Sequence, residues 1–237
     1  MHRFFSEDGA SIRGEELKHL RQVLRLAPGD EIEVLWDGRR LLAELTEVAA
    51  QAAAFAVRQE LPDREPRCRV TLYQGLCKGE KMDFLVQKCT EMGVHAVVPV
   101  EMARSVGRAD RAQKKTERLA RIAREAVKQC GRAHVPEVLP AMDFAQALER
   151  MAEHELLLMP YEEGGQPFAG RIAARSVGLL IGPEGGIAPE EAEAVRAVGG
   201  QAMTLGSRIL RTETAPLAAL SAIFYEKGDM ERRGEAT

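Results

Sequence analysis

VGLLIGPEGGIAPEEAEAVRAVG, Val177 to Gly199, runs from an apolar segment through a loop of glycines and a proline into a helical pattern. Its first part, VGLLIG, is nearly continuous in apolar residues, as a strand buried on both faces should be. The loop IGPEGG, Ile181 to Gly186, fixes φ at Pro183 and removes side chains at Gly182, Gly185 and Gly186. Its backbone can therefore approach a ligand closely and offer its amides. Pro189 followed by Glu190 and Glu191 marks a helix start. The loop matches neither GxGxxG nor GxxxxGK[ST]. Its acidic first helical turn disfavours a phosphate there and suits a neutral or cationic ligand better.

The same alternation extends outward. From Arg69 the chain reads RVTLYQGL, KMDFLVQKCTEMG, HAVVPV, a basic helix, FAQALERMAEH and ELLLMP. After the opening stretch come QAMTLG and a final helix, PLAALSAIFY. Strand-like and helical runs in turn predict a parallel α/β sheet with helices on its faces. Ligands of such sheets bind at the carboxyl ends of the strands. Three of those ends are unusual: MPYEEG (Met159–Gly164), IGPEGG and LGSRILRTETAP (Leu205–Pro216). The first, taken alone, is an ordinary loop. In the third, Gly206 ends a strand, Thr214 is expected to cap the helix and Pro216 belongs to its first turn. Glu213 is explained equally well by the helix dipole. Ser207, Arg208 and Arg211 have no such structural reason, and two guanidiniums at a ligand-binding edge point to phosphate or nucleotide contacts.

Residues 1–66 have the pattern of a small β-rich unit with one early helix, EELKHLRQVLRL. Leu17, Leu20 and Leu24 share one helical stripe, and Lys18, Arg21 and Arg25 a second. Asp37-Gly38 between EIEVLW and LLAELTEV predicts a tight hairpin, because both turn residues tolerate positive φ. LPDREPR is expected to be a linker, and the terminal GDMERRGEAT to fray.

The 237 residues fit one large or two small domains. No apolar run approaches the ~20 residues of a membrane span. MHRFFSEDG lacks the apolar stretch of a signal peptide, so the chain is expected in the cytoplasm. The scattered cysteines Cys68, Cys77, Cys89 and Cys130 are expected to be reduced and buried, and no metal-ligand spacing is visible. A net charge of −3 excludes a uniformly basic nucleic-acid binder. Yet Arg104 to Arg132 holds ten basic residues against three acidic ones. The residues alone leave two classes open: a nucleotide-dependent enzyme acting on RNA, and an RNA-binding regulator.

IGPEGGI followed by LGSRILRTETAP resembles the second and third cofactor motifs of the SPOUT class of RNA methyltransferases. HRFF, HLRQVLRL, KGEKMDFLVQKCTEMGV and REAVKQCGR are similar to one family within it, the bacterial 16S ribosomal RNA uridine-N3 methyltransferases. The likeness runs from His2 to about Ile223. It implies an α/β C-terminal SPOUT domain over 67–237 with a trefoil knot, and a PUA-like β-barrel over 1–66 that helps hold RNA. It also implies S-adenosyl-L-methionine as cofactor, a homodimer, and one uridine of 16S rRNA in the small ribosomal subunit as target. Neither a metal nor a membrane is implied. Two alternatives stay open: a SPOUT methyltransferase with another RNA target, and a non-catalytic RNA-binding protein of the same fold.

On that resemblance, Met159, Pro160, Gly182, Glu184, Gly185, Leu205, Gly206, Ile209 and Leu210 would hold the adenosyl group. They offer backbone hydrogen bonds and apolar walls. Methylation of uridine N3 requires loss of its proton and benefits from a cation near O2 or O4. Arg211 is the candidate cation and Glu213 the candidate base, with helix capping an equal explanation of Glu213. Arg3, Lys18, Arg21 and Arg25 on the small domain, and Arg104, Arg108, Arg124 and Arg132 on the large one, are candidate RNA contacts of an electrostatic, salt-dependent kind.

Overall fold

The computed structural model describes residues 1–106, 112–163, 165–167 and 172–230. Arg108 and the residues from 231 onward, expected to fray, lie outside this set. The chain divides into two compact units, one of residues 1–65 with 127–134, the other of 66–126 with 135–230.

In the first unit, β1 (Arg3–Phe5), β2 (Ser11–Ile12), β3 (Glu31–Trp36), β4 (Arg39–Val48) and β5 (Ala53–Glu60) form a five-stranded sheet in the order β1-β3-β4-β5-β2. The β3–β4 hairpin turns at Asp37 and Gly38, with φ of 50° and 69°. Both residues are left-handed, as the Asp-Gly pair predicted. Strands β1 and β2 end the sheet order; the Ser6 hydroxyl, donating to the Ser11 carbonyl at 2.7 Å, links the chain leaving β1 to β2. Phe4, Ile12, Leu17, Leu20, Ile32, Val34 and Leu45 fill the core.

The early helix is shorter than its spacing predicts. α1 (Gly14–Lys18) passes into a wider π turn over His19–Val23. Arg25 then adopts a left-handed φ of 56°. Leu17 and Leu20 are buried as expected, but the regular basic stripe does not continue through the π turn.

In the second unit, β6 (Arg69–Gly75), β7 (Ala96–Glu101), β8 (Glu137–Val138), β10 (Leu156–Pro160), β11 (Gln166–Pro167), β12 (Ser176–Ile181) and β13 (Gln201–Thr204) lie in the order β11-β13-β10-β12-β6-β7-β8. β9 (Met142–Asp143) adds to β7. All these pairings are parallel. The apolar strands take its centre: Leu157–Met159 and Val177–Ile181 are buried throughout.

One face packs under α2 (Lys81–Met92), α3 (Ala112–Cys130) and α6 (Ala215–Glu226) through Leu85, Val86, Leu119, Leu220 and Phe224. The other packs under α4 (Phe144–Met151) and α5 (Pro189–Ala197) through Ala147, Met151, Ala192 and Val195. None of the described helices is long and apolar enough to cross a membrane. The four cysteines are free, with Cys68, Cys77 and Cys89 buried and Cys130 partly so. Burial raises the Cys89 thiol to about 12.

Candidate active site

The carboxyl ends of β10, β12 and β13 open on a cavity of about 540 Å³. Pro160, Tyr161 and Glu162 line it from the first loop, Ile181–Ile187 from the second and Thr204–Glu213 from the third, except Ser207. A fourth contribution, Lys81, comes from the start of α2. Parallel strands bring their carboxyl ends to one edge, which is why segments far apart in sequence meet here.

All the expected cofactor residues line this cavity except Met159. Met159 is fully buried, its side chain packed with Tyr73 and Leu180 in the core beneath α4 and α5. Successive strand residues face opposite sides. Pro160 therefore reaches the cavity while its neighbour does not.

The second loop is braced from several sides. Gly186 closes a turn by donating its N–H to the Pro183 carbonyl at 2.9 Å. A Cβ on Gly185 would stand 2.9 Å from the Arg104 Cβ and 3.2 Å from its carbonyl oxygen, so only glycine fits without displacement. Arg104 donates to the Gly185 carbonyl at 3.2 Å. Its guanidinium thus supports the loop as well as facing solvent. Glu191, 7% exposed, accepts from the N–H groups of Ala188 at 3.0 Å and Ala103 at 2.8 Å. The acidic helix start is therefore partly a bracket for the segment after β7.

The third loop enters at Gly206 with φ 102°, a conformation that side chains disfavour. Thr214 does not cap α6 through its side chain; the amides of Thr214 and Ala215 donate to the Arg211 carbonyl at 2.8 and 2.9 Å instead. Pro216 lies in the first turn as expected. Thr212, 7% exposed, sits under the cavity floor. Its hydroxyl donates to the Gly182 carbonyl at 2.7 Å and accepts from the Gln74 amide at 3.0 Å. Gln74 is fully buried, and its Oε1 has no hydrogen-bond partner.

Charge at the cavity is organised around Lys81. Its ammonium lies 3.1 Å from Glu184 and 3.3 Å from Glu213. Glu184 also accepts from the Lys78 N–H at 3.1 Å. Partial burial pushes Glu184 up, but its own backbone N–H, that of Lys78 and the Lys81 ammonium outweigh this and hold it below the usual carboxylate range. Glu213 is held low chiefly by its own backbone N–H, against partial burial, with help from Lys81 and Arg211. The Glu184 hydrogen bond raises Lys81. Arg208 and Arg211 are exposed on the lining, and Arg211 has no ion-pair partner among the described residues.

Lys81, Gln74 and Glu191 were not singled out as site residues from sequence. Lys81 lies in KGEKMD, whose only sequence signal is family likeness, and nothing local marks Gln74.

The candidate RNA residues divide. Arg132 is enclosed: its side chain is 5% exposed and held by Glu65, with Nε at 3.0 Å from Oε2. A guanidinium so enclosed is committed to Glu65 within its own unit. Arg3 is also largely engaged, donating to Glu33 at 2.9 Å and to the Lys128 carbonyl at 2.8 Å. Arg21 and Arg25 are exposed; Lys18 is exposed and paired with Glu15. Arg124 is half-buried and engaged. No group of three or more metal-ligating side chains occurs among the described residues.

Residues 64–224 match the model of the RNA methyltransferase domain, and residues 12–55 that of the RNA methyltransferase PUA domain. The chain is 38% identical over 231 residues to "Ribosomal RNA small subunit methyltransferase E" of Bacillus subtilis, covering 91% of this chain and 90% of that protein. The Aquifex aeolicus protein of the same name is 30% identical, covering 94% and 99%. The structure of the Neisseria gonorrhoeae protein of that name, bound to S-adenosyl methionine, aligns with a TM-score of 0.84 at 35% identity, covering 94% of this chain and 96% of that one. With its α/β unit and PUA unit both matched, this chain belongs to the RNA methyltransferase family.

Proposed function

We propose that this chain uses S-adenosyl-L-methionine to methylate N3 of a uridine in 16S rRNA of the small ribosomal subunit. The observation that carries this is the cavity at three parallel strand ends, with open glycine backbone on one side and two ionised carboxylates on another. The names of its relatives, and the cofactor in one of their structures, support the same activity.

The residues present fit the cofactor. A volume of about 540 Å³ is of ligand size. Gly182, Gly185 and Gly206 leave backbone accessible, and Leu205, Ile209 and Leu210 give apolar walls. Glu184 and Glu213 suit a cation. Glu213 Oε2 is shielded from solvent, with the Lys81 ammonium beside it at 3.3 Å. When bound, S-adenosylmethionine supplies an electrophilic methyl group on a positively charged sulfur.

The remaining work falls to this chain. Arg211, exposed on the cavity rim, places a permanent cation where charge gathers on O2 or O4 once the imide proton has left. Glu213, held low and paired with Lys81, is a weak proton acceptor. Its role is charge complementarity toward the cofactor, and the imide proton leaves to solvent. Arg21 and Arg25 of the PUA unit supply phosphate contacts. A domain boundary near residue 66, a homodimer and a knotted C-terminal segment complete the proposal, as the family resemblance implies. For the knot, the support is that β13 pairs between β10 and β11, so the chain joining those two strands spans the slot that β13 fills. A ribosomal RNA target would place the protein's work in the cytoplasm.

Two measurements in series test this. Calorimetric titration with S-adenosylmethionine should show saturable binding near one site per chain. Incubation with small subunits lacking the modification, followed by mass spectrometry of the nucleosides, should yield 3-methyluridine. A methyl group on any other nucleoside would overturn the target, and no cofactor binding with or without subunits would overturn the activity.

A further inference from the structure

Lys81 lines the cavity from outside the three loops. It sits at the first position of α2, while its two partners belong to different loops, Glu184 after β12 and Glu213 after β13. Its side chain is only 32% exposed, against 26% for Glu184 and 24% for Glu213, so the cluster is partly withdrawn from solvent. A surface ion pair of long side chains ordinarily contributes little. Here one ammonium satisfies two carboxylates that would otherwise repel each other across a ligand cavity, and the Lys78 N–H fixes the orientation of Glu184.

From this geometry we propose that Lys81 is a positioning residue of the methyl-transfer site: it clamps the second and third loops together through Glu184 and Glu213 and sets the charge of that wall at −1 instead of −2. The proposal rests on the S-adenosylmethionine reading above. A wall of −1 attracts a sulfonium cation. A wall of −2 would also repel the imide anion that must form opposite it. Around the cluster, Arg208 and Arg211 face the cavity from the third loop, Cys77 lies at the end of β6, and Lys78 precedes α2 on its own segment. Among these, Lys81 alone pairs with both carboxylates.

The charge makes a prediction that folding alone does not. S-adenosylmethionine and S-adenosylhomocysteine differ by one positive charge at sulfur, so the ratio of their affinities reads the local potential. Removing a unit charge from the cavity wall should move that ratio roughly three- to tenfold at low salt. Calorimetry on the full chain should show Lys81→Met shifting the ratio toward S-adenosylmethionine, and Glu184→Gln and Glu213→Gln shifting it the other way. Lys81→Arg, which keeps the charge, should restore the wild-type ratio. Single-turnover methylation at saturating cofactor should fall at least tenfold in Lys81→Met and recover in Lys81→Arg.

An unchanged ratio in Lys81→Met together with an unchanged rate would overturn the proposal and leave the cofactor assignment standing. Wild-type protein that binds neither compound would overturn both. If Lys81→Met fails to fold, the two glutamine variants carry the test: ratios equal to wild type in both would overturn the charge assignment.

Discussion

Thr212 donates its hydroxyl to the Gly182 carbonyl at 2.7 Å, tying the loop after β13 to the loop after β12 beneath the cavity. Gln74 extends the tie to the end of β6, so three strand ends share one buried polar junction. Such a junction is costly to break because a buried acceptor left without a partner loses about 1–3 kcal/mol.

Thr212→Val should therefore weaken S-adenosylmethionine binding by about tenfold or more, since the valine leaves the Gly182 carbonyl only the longer contact from the Gln74 amide at 3.4 Å and removes an acceptor from that amide. Thr212→Ser should stay close to wild type. Calorimetric Kd values, with thermal melts of each variant to score folding, decide this. Equal affinity in the valine variant would mean the loops hold their positions without the bond.

Arg211 faces the cavity rim with no ion pair among the described residues to occupy it. Arg211→Ala should lower the single-turnover rate on small subunits by about 100-fold while leaving cofactor Kd within about twofold. A full rate in that variant would remove Arg211 from the chemistry; a loss confined to subunit affinity would reassign it to phosphate.

Basic residues of the first unit should separate by burial. Arg132→Ala breaks an enclosed pair with Glu65 and should cost about 3–5 kcal/mol of stability, lowering the melting temperature with no change in the salt dependence of RNA binding. Arg21→Ala and Arg25→Ala should melt as wild type does, yet each should reduce the salt slope of RNA affinity by about 1. The opposite pattern, a normal melt for Arg132→Ala with a reduced slope, would return Arg132 to the RNA surface.

His154 should make stability depend on pH. Its Nε2 lies 2.9 Å from the Tyr73 hydroxyl and its Nδ1 2.6 Å from that of Ser176. Burial, aided by Arg150 and opposed by Glu153, holds the imidazole below its ordinary value of 6.5. The folded protein thus binds its proton less readily than the unfolded chain. This contribution is fully present above pH 6.5 and is lost as pH falls below it. Denaturant unfolding between pH 5 and 7.5 should show wild type losing stability on acidification more steeply than His154→Gln. Parallel curves would exclude His154 as the source.

Much of this architecture was legible in the linear chain. Apolar runs of strand length between helical patterns define the parallel sheet, because each depends on neighbours a few residues apart. The Asp37-Gly38 hairpin and the glycine loops at Gly182 and Gly206 are equally local, being set by backbone conformations few residues accept. The early helix misled because a π turn at His19–Val23 changes the period that its leucines announce. Thr214 occupies the N-cap of its helix as expected, but its hydroxyl makes no capping bond, and the backbone N–H groups of Thr214 and Ala215 donate to Arg211 instead.

The sequence by itself determined which segments are strands, which loops lie at their carboxyl ends and which family they resemble, since these rest on short-range pattern and motif. Only the tertiary structure decided that Lys81 joins Glu184 to Glu213, that Gln74 reaches Thr212 across 138 residues, that Arg132 is enclosed by Glu65 and that Met159 turns into the core. A charge or an amide leaves no periodicity in sequence to announce its partner. Partners are chosen when the sheet brings distant strand ends to one edge, and burial then makes each unmatched polar group too costly to leave alone.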